Sequence, residues 1–358
     1  MTNKINHYKL SYKWKEGYQL HPKHLNSAPT EFRPEKLNGE FKGKDIYSGD
    51  QFDLKSFNII SELIPQMEYI AKNAIDSRIL GGTMTALLFY EASTRTKLSF
   101  DTGIKQLGGQ TTTEYTQALS EAKGESFEGT IKNIEAYCDA IVLRHPEASA
   151  IQIAMDTAKH VPIINGGNGP NQHPTQVLGD LFTMKKHKGR IEGLRGLVAR
   201  DILNSRTAHS FFDEMAIFPN NTIYTIAPEE LQIQESDIEK YRKRGLTIIK
   251  LNEESDIPRD LDYHYINRVQ KARLKNPERD FDRFDSQTIV DDDYLDKYGN
   301  DKLIVFHAQP IGREITREVQ KDPHMVLDDQ VRYCQYARMA LMALVFGRKN
   351  PNVIEYHI

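Results

Sequence analysis

The sequence predicts an α/β protein built as two doubly wound parallel-sheet domains, with the active site in the cleft between them. Three observations carry this. Short apolar runs of strand length alternate with segments of helical period along most of the chain, the succession that builds parallel sheets. Polar turns rich in Arg, His, Ser and Thr follow several of those runs, at the sheet edge where open α/β sheets place ligands. A polar stretch (185–193, KKHKGRIEG) separates two such successions, and 358 residues suffice for two domains of ordinary size.

Composition narrows the function classes. Hydrophobic residues make up 39% and charged residues 27%, as in soluble globular chains. The net charge of −3 gives no bulk attraction to nucleic acid or to a membrane surface. No apolar run approaches the roughly 20 residues of a membrane span, and the N-terminus has no apolar segment of a secretory signal, so the cytoplasm is the expected compartment. Cys138 and Cys334 lie in apolar helical patterns and are expected as buried free thiols. His145, His173, His209 and His307 lack metal-ligand spacing, so neither a metal nor a cofactor is expected.

Residues 1–45 stand apart as an N-terminal extension. Its first 44 residues hold nine Lys/Arg against four Glu, with Pro22, Pro29 and Pro34 breaking any helix. They read as a basic arm, while Tyr8, Tyr12, Trp14 and Tyr18 argue that part of it packs on the body or a neighbouring subunit. A helix is expected from Phe52 to Ala74, with Asp50 or Asp53 as cap and Pro65 as a kink or break. Thr83–Tyr90 reads as a buried strand. Phe100, Ile104 and Leu107 then follow at the spacing of one helix face. Between them lies Glu91-Ala92-Ser93-Thr94-Arg95-Thr96-Lys97, where free backbone N–H groups and the helix dipole favour an anion. Three hydroxyls and Arg95 surround the same point, which suits a phosphate. The plainer reading is a capped helix with a surface arginine. The stretch is neither a P-loop nor a dinucleotide fingerprint.

Residues 110–125 read as a second strand and a polar loop holding Ser120 and Lys123. Ala140–Leu143 is a short strand followed by Arg144 and His145, and 162–165 repeats the arrangement. His173 stands at a helix start with Pro174 in the first turn, and Gln176 sits one turn on; a capping role is the plain alternative for His173. In the second half, strands are expected at 194–199, 222–227, 246–251, 263–266 and 303–306. Helices are expected at 207–215, 229–244 and about 328–346. The acidic stretch 276–301 reads as a mobile loop with short helices. Arg95, Arg144, Arg206, Arg268 and Lys123 are far apart in sequence, so they suit a small polyanionic ligand set rather than a nucleic-acid patch. Arginine's planar fork binds two oxygens of a carboxylate or phosphate at once.

FYEASTRTKLSF resembles the carbamoyl-phosphate motif of the aspartate/ornithine carbamoyltransferase family, in its aspartate form. Arg144-His145-Pro146, His173-Pro174-Thr175-Gln176 and Arg268-Val269-Gln270 follow in family order, and the likeness runs from about Tyr47 to Lys349. The resemblance implies transfer of a carbamoyl group from carbamoyl phosphate to the α-amine of L-aspartate, in pyrimidine biosynthesis. It implies a carbamoyl-phosphate domain of 46–188 plus 326–358 and an amino-acid domain of 189–325. Ser93, Thr94, Arg95 and Thr96 would hold the phosphate. Arg144, His173 and Thr96 would polarise the carbonyl, and Gln176 would hold the carbamoyl amide. Arg206, Arg268 and Gln270 would bind the acceptor's carboxylates. Lys123, with Ser120 nearby, would reach into the adjacent subunit's site in a homotrimer with shared active sites.

Two segments depart from the family pattern. His-Pro-Leu-Pro-Arg becomes His307-Ala308-Gln309-Pro310-Ile311; the resemblance implies that two backbone carbonyls of this segment receive the attacking amine and that Gln309 and Pro310 belong to the acceptor site. Gly-Asp-x-x-x-Gly-Arg-Thr becomes Arg200-Asp201-Ile202-Leu203-Asn204-Ser205-Arg206-Thr207. A carbamoyltransferase acting on another amine, and a non-catalytic paralogue, are the alternatives this leaves.

Overall fold

The computed structural model describes residues 35–115 and 125–348. These divide into two compact units, one running to Thr175 and resuming at Cys334, the other spanning Gln176–Tyr333. Each unit is built on its own wholly parallel sheet.

In the first unit the elements are α1 (Leu54–Lys72), β1 (Met84–Phe89), α2 (Thr94–Gln106), β2 (Gln110–Tyr115), α3 (Phe127–Glu135), β3 (Ala140–His145), α4 (Ala150–Thr157) and β4 (Ile163–Asn168). The strand order is β2-β1-β3-β4. Ala86 and Leu88 of β1, with Ile141 and Leu143 of β3, pack against Ile131, Ile151 and Ala154 from the helices. Asp53 caps α1, accepting from the Ser56 N–H at 2.7 Å. The helix runs unbroken through Pro65, whose exposed position leaves the lost N–H at the solvent face. Of the stretch read as an extension, residues 35–45 are described. Leu37 and Phe41 are buried there, and the Gly43 N–H donates to the Val345 carbonyl at 2.9 Å. Tyr8, Tyr12, Trp14 and Tyr18 lie outside the described residues, as do Ser120 and Lys123.

The second unit contains most of α5 (Pro174–Lys188), then β5 (Arg195–Ala199), α6 (Arg206–Met215), β6 (Thr222–Ile226), α7 (Glu235–Arg242), β7 (Thr247–Lys250), β8 (Tyr263–Ile266), α8 (Pro277–Asp285), α9 (Asp292–Tyr298) and β9 (Ile304–His307). Its order is β7-β6-β5-β8-β9, so the sheet is wound outward both ways from β5 and β8. The closing helix α10 (Leu327–Val345) begins in this unit and ends in the first. There it comes so near α2 that a Cβ on Gly103 would stand 2.8 Å from Met339 Cγ, which is why glycine occupies that turn.

Three expectations need correction, and a fourth holds. The α5 helix reaches Lys188, so the polar link is shorter than its composition suggests. The helix expected over 229–244 is a 3₁₀ turn at Glu229–Leu231, an extended link, and then α7. Leu231 and Ile233 are both buried, which turns the chain inward where a continuous helix would follow its surface. The 276–301 stretch does hold the short helices expected of it, α8 and α9, with Phe284, Tyr294, Leu295 and Tyr298 buried between its charged residues. Asp291 caps α9 by accepting from the Tyr294 N–H at 2.9 Å. Cys138, finally, lies in the link from α3 to β3 rather than in a helix; it and Cys334 are buried free thiols.

Candidate active site

The turn between β1 and α2 sits where its flanking periods place it. Ser93 is the residue before α2, with an extended backbone (φ −157°), yet its hydroxyl makes no capping bond. The plain capping role is therefore not what this serine performs. Ser93, Thr94 and Arg95 are half-buried or exposed, while Thr96 points inward. A cavity of about 860 Å³ opens beside the turn, lined by Ser93 and Thr94 together with Tyr90, Lys97, Asp101 and Lys105. It takes in neither Arg95, Thr96, Arg144 nor His173.

Thr96 meets His173: Thr96 Oγ1 lies 3.2 Å from His173 Nε2, and both side chains are buried. Arg144 belongs to β3 itself, which extends two residues beyond the apolar run. Parallel pairing sets Arg144 opposite Phe89, at the end of β1 where the turn begins. Its guanidinium donates to the Gly166 carbonyl at 3.1 Å and forms an ion pair with Glu91 at 3.0 Å. Within the first unit, then, the strands bring the Ser93–Thr96 turn and Arg144 to one sheet edge, and the Thr96–His173 contact ties in the start of α5.

Three groups that hold this edge escaped sequence reasoning: the Glu91 carboxylate, the Gly166 carbonyl and Arg338. Glu91 and the Gly166 carbonyl orient Arg144; Glu91 lies inside the strand-exit motif, but its partner lies across a strand pair. Arg338 of α10 donates to Ser99 Oγ at 2.6 Å and Thr175 Oγ1 at 3.4 Å, linking α2 to the first turn of α5. Its guanidinium also lies 5.4 Å from the Phe100 ring centre. His145 packs beside Tyr90 and Phe127 at 4.6 and 5.4 Å, and its Nδ1 accepts from the Glu147 N–H at 3.0 Å. Burial pushes its pKa down to about 4, so the ring is neutral.

In the second unit the residues expected to hold an amine acceptor sit at strand ends. Arg206 opens α6 and is buried, with Ser205 capping the helix by accepting from the Ala208 N–H at 3.2 Å. Arg268 is exposed just beyond β8, and the Gln270 side chain reaches back to the Arg268 carbonyl at 3.4 Å. The Gln270 N–H donates to Asp201 at 2.9 Å. Gln176 is held by Asp180 at 3.0 Å, and that fully buried carboxylate also accepts from Tyr265 and Gln330, each at 2.8 Å. Gln309 has φ +53° and is joined to Pro310 by a cis peptide bond. Its N–H donates to His307 Nδ1 at 2.8 Å. Among the described residues no cluster of His, Cys, Asp or Glu is arranged to hold a metal ion, and no helix is long and apolar enough to cross a membrane.

Two family models cover most of the chain. Residues 44–186 match the carbamoyl-P binding domain of aspartate/ornithine carbamoyltransferases, and residues 193–345 match the Asp/Orn binding domain. The chain belongs to the aspartate/ornithine carbamoyltransferase family. Within that family, the aspartate carbamoyltransferase catalytic subunit of Methanopyrus kandleri is 36% identical over 308 residues, 86% of this chain and 98% of the relative. A chloroplastic aspartate carbamoyltransferase of Arabidopsis thaliana is 35% identical over 86% of this chain and 78% of its own length. Among solved structures, the Trypanosoma cruzi aspartate transcarbamoylase in complex with carbamoyl phosphate and aspartate superposes with a TM-score of 0.81. It is 28% identical, over 87% of this chain and 99% of that one. The M. jannaschii catalytic subunit gives 0.77 at 33% identity, over 84% and 97%. The carbamoyltransferase family accounts for both parallel-sheet units and for the order of the four motifs.

Proposed function

We infer that this chain transfers the carbamoyl group of carbamoyl phosphate to the α-amine of L-aspartate, giving N-carbamoyl-L-aspartate and phosphate, a step of pyrimidine biosynthesis. The observation that carries the reading is the Ser93–Thr96 turn, its helix N-terminus not capped by the Ser93 hydroxyl and its last threonine on His173. The neutral amine attacks the carbamoyl carbon, the C=O electrons move to oxygen, and the tetrahedral oxyanion collapses by breaking the C–O bond to phosphate. The amine's proton leaves with the phosphate. No protein nucleophile is required, so catalysis is orientation and stabilisation of developing charge.

In this reading Ser93, Thr94, Arg95 and Thr96 hold the phosphate. Thr96, Arg144 and His173 donate to the carbonyl oxygen as it gains charge, and Gln176 orients the carbamoyl amide. Arg206, Arg268 and Gln270 bind the carboxylates of the acceptor, whose amine faces the carbonyls of Gln309 and Pro310. The first task falls to residues 46–188 plus 326–358, the second to 189–325. Ser120 and Lys123 complete the phosphate site from a neighbouring subunit of a homotrimer, and the cytoplasm is the compartment that fits. The Trypanosoma cruzi relative, solved with carbamoyl phosphate and aspartate, supports the substrate pair.

The Gln309 and Ile311 departures favour a second reading, a carbamoyl transfer to a different amine. Both are tested by phosphate release from carbamoyl phosphate against a panel of amino acids and polyamines. Aspartate-dependent release, falling about two to three orders of magnitude in Arg95→Ala, is the expected result. Release dependent on another amine selects the second reading, and no release with any amine rejects both.

A further inference from the structure

Strand β5 ends at Ala199, and the next residue, Arg200, has φ +79°. This is the left-handed region, which L side chains other than Asn and Asp seldom occupy. The family motif quoted above has glycine at this place. A long side chain held in such a backbone must be fixed by its surroundings, and a persistent outlier of this kind points toward function.

The surroundings of Arg200 do fix it. Its side chain is 1% exposed. Nη2 donates to Asp285 Oδ1 at 2.7 Å and to the Asp285 carbonyl at 3.1 Å, while Nη1 donates to the carbonyls of Gln287 and, at 3.3 Å, Thr288. One planar fork therefore gathers the carboxyl end of α8 and the turn beyond it, where a cation also suits the helix dipole. The Arg200 N–H donates to the Ile226 carbonyl at 2.8 Å, anchoring the strand exit to β6.

From this point two hydrogen-bonded paths lead to the acceptor groups. The first runs through the neighbouring Asp201. Its carboxylate accepts from the Asn204 N–H at 3.0 Å and the Gln270 N–H at 2.9 Å, so it sets the turn before Arg206 and the segment after Arg268. The second runs through the gripped turn. Two residues after Thr288, the Val290 N–H donates to the Glu314 carbonyl at 2.9 Å, and the Thr316 N–H returns to the Val290 carbonyl at 3.0 Å. Glu314 is fully buried; its Oε1 accepts from the Gly312 N–H at 2.9 Å and lies 2.8 Å from His307 Nε2. His307 Nδ1 in turn accepts from the Gln309 N–H.

The geometry points to Arg200 as a positioning residue for the amine-acceptor site, a single buried guanidinium that fixes both the 201–206 turn with Gln270 and the 307–314 segment that presents Gln309 and Pro310. This rests on the assignment of those residues to the acceptor. The placement explains how a chain whose 307–311 segment departs from the family pattern keeps that segment in register. The hold starts from the interior, through the 285–290 turn, and is passed on within the segment by Glu314 and His307. Burial opposes charge on Arg200, and the carboxylates of Asp285, Glu314 and Asp201 offset it.

The test uses the full chain with Arg200→Gly, which accepts the backbone but has no fork, Arg200→Lys, which keeps a charge, and Asp285→Asn. Two readouts are taken: steady-state carbamoyl transfer with each substrate varied, and amide hydrogen exchange. Arg200→Gly and Arg200→Lys should lower kcat/KM for the acceptor by about one to two orders of magnitude, the scale of a misplacement near 1 Å. The KM for carbamoyl phosphate should not move. Exchange should quicken over 201–206, 268–271 and 307–314, and stay unchanged over 91–96. A merely structural arginine would lower the melting temperature and the kcat for both substrates together, and that result overturns the proposal. If the wild-type chain transfers no carbamoyl group to any amine, the functional reading fails separately; unchanged exchange in the three segments then overturns the clamp on its own. Should Arg200→Gly not fold, Arg200→Lys and Asp285→Asn decide by the same criteria.

Discussion

Thr96 Oγ1 stands 3.2 Å from His173 Nε2, joining the first turn of α2 to the residue that precedes α5. The hydroxyl is buried and can rotate, so it can give its proton to the imidazole or to a substrate oxygen. A donor aimed at an oxygen that gains charge acts chiefly in the transition state. Thr96→Val keeps the shape and removes the hydroxyl. Its kcat should fall by about two orders of magnitude while the acceptor KM stays near the wild-type value. Unchanged turnover would remove Thr96 from the reacting carbonyl.

Arg268 lies just beyond β8 in the second unit, exposed, whereas Ser93–Thr96 belong to the first. Arg268→Ala should therefore weaken the acceptor far more than carbamoyl phosphate. Titrating each ligand separately checks this, and equal losses for both would count against the division of labour between the units. Because Arg268 is solvent-exposed, its removal should leave the unfolding midpoint nearly unchanged.

The contrast between Thr96 and Arg200 shows what the sequence made legible. The Ser93–Thr96 turn could be read because a period-matched strand and helix flank it within one short stretch. Arg144 could be placed at a strand end for the same reason. Its partner Glu91 could not, since that contact depends on β3 pairing alongside β1, opposite Phe89, which no local pattern contains. Arg200 looked like a lost glycine, and only the fold reveals the carbonyls of 285–288 around it. The acidic run 276–301 was legible as holding short helices but not in how they pack, because charged residues on the outer face masked the buried Phe284, Tyr294 and Tyr298. In the 229–244 stretch the helical composition was right for α7 but not for Leu231 and Ile233, whose burial bends the chain inward.

His145 ties folding to pH. It is buried against Tyr90 and Phe127, and its Nδ1 must stay unprotonated to accept from Glu147. Burial lowers its pKa to about 4 from an ordinary 6.5, against an opposing pull from Glu91. A depressed folded pKa means the stability it protects is whole above pH 6.5 and is lost as pH falls toward 4, when only the unfolded chain takes up the proton. That interval corresponds to at most about 3 kcal/mol. His145→Asn retains an acceptor for Glu147 and cannot titrate, so the wild-type advantage in urea unfolding should shrink across this range. A difference that stays constant from pH 7 to pH 4, or an imidazole resonance that titrates near 6.5, would contradict the assignment.

The last expectation concerns subunits. Lys123 lies outside the described residues, in a stretch whose sequence reads as a polar loop, and Lys123-Gly124-Glu125 matches a loop that the family resemblance places in a neighbour's site. If each site lacks one cation until a neighbour supplies it, an isolated chain binds the phosphate dianion weakly, since a charge-assisted contact is missing. Lys123→Ala and His173→Ala should each be inactive alone. Mixed under conditions that let subunits exchange, some assemblies then contain a site with a wild-type His173 from one chain and a wild-type Lys123 from its neighbour. Such a site carries neither defect, so activity returns in the mixture while both parents stay inactive. The recovered activity should rise as exchange proceeds and follow the mass-spectrometric fraction of mixed assemblies. A mixture that stays inactive although exchange is confirmed by mass places Lys123 in its own chain's site or outside the chemistry altogether.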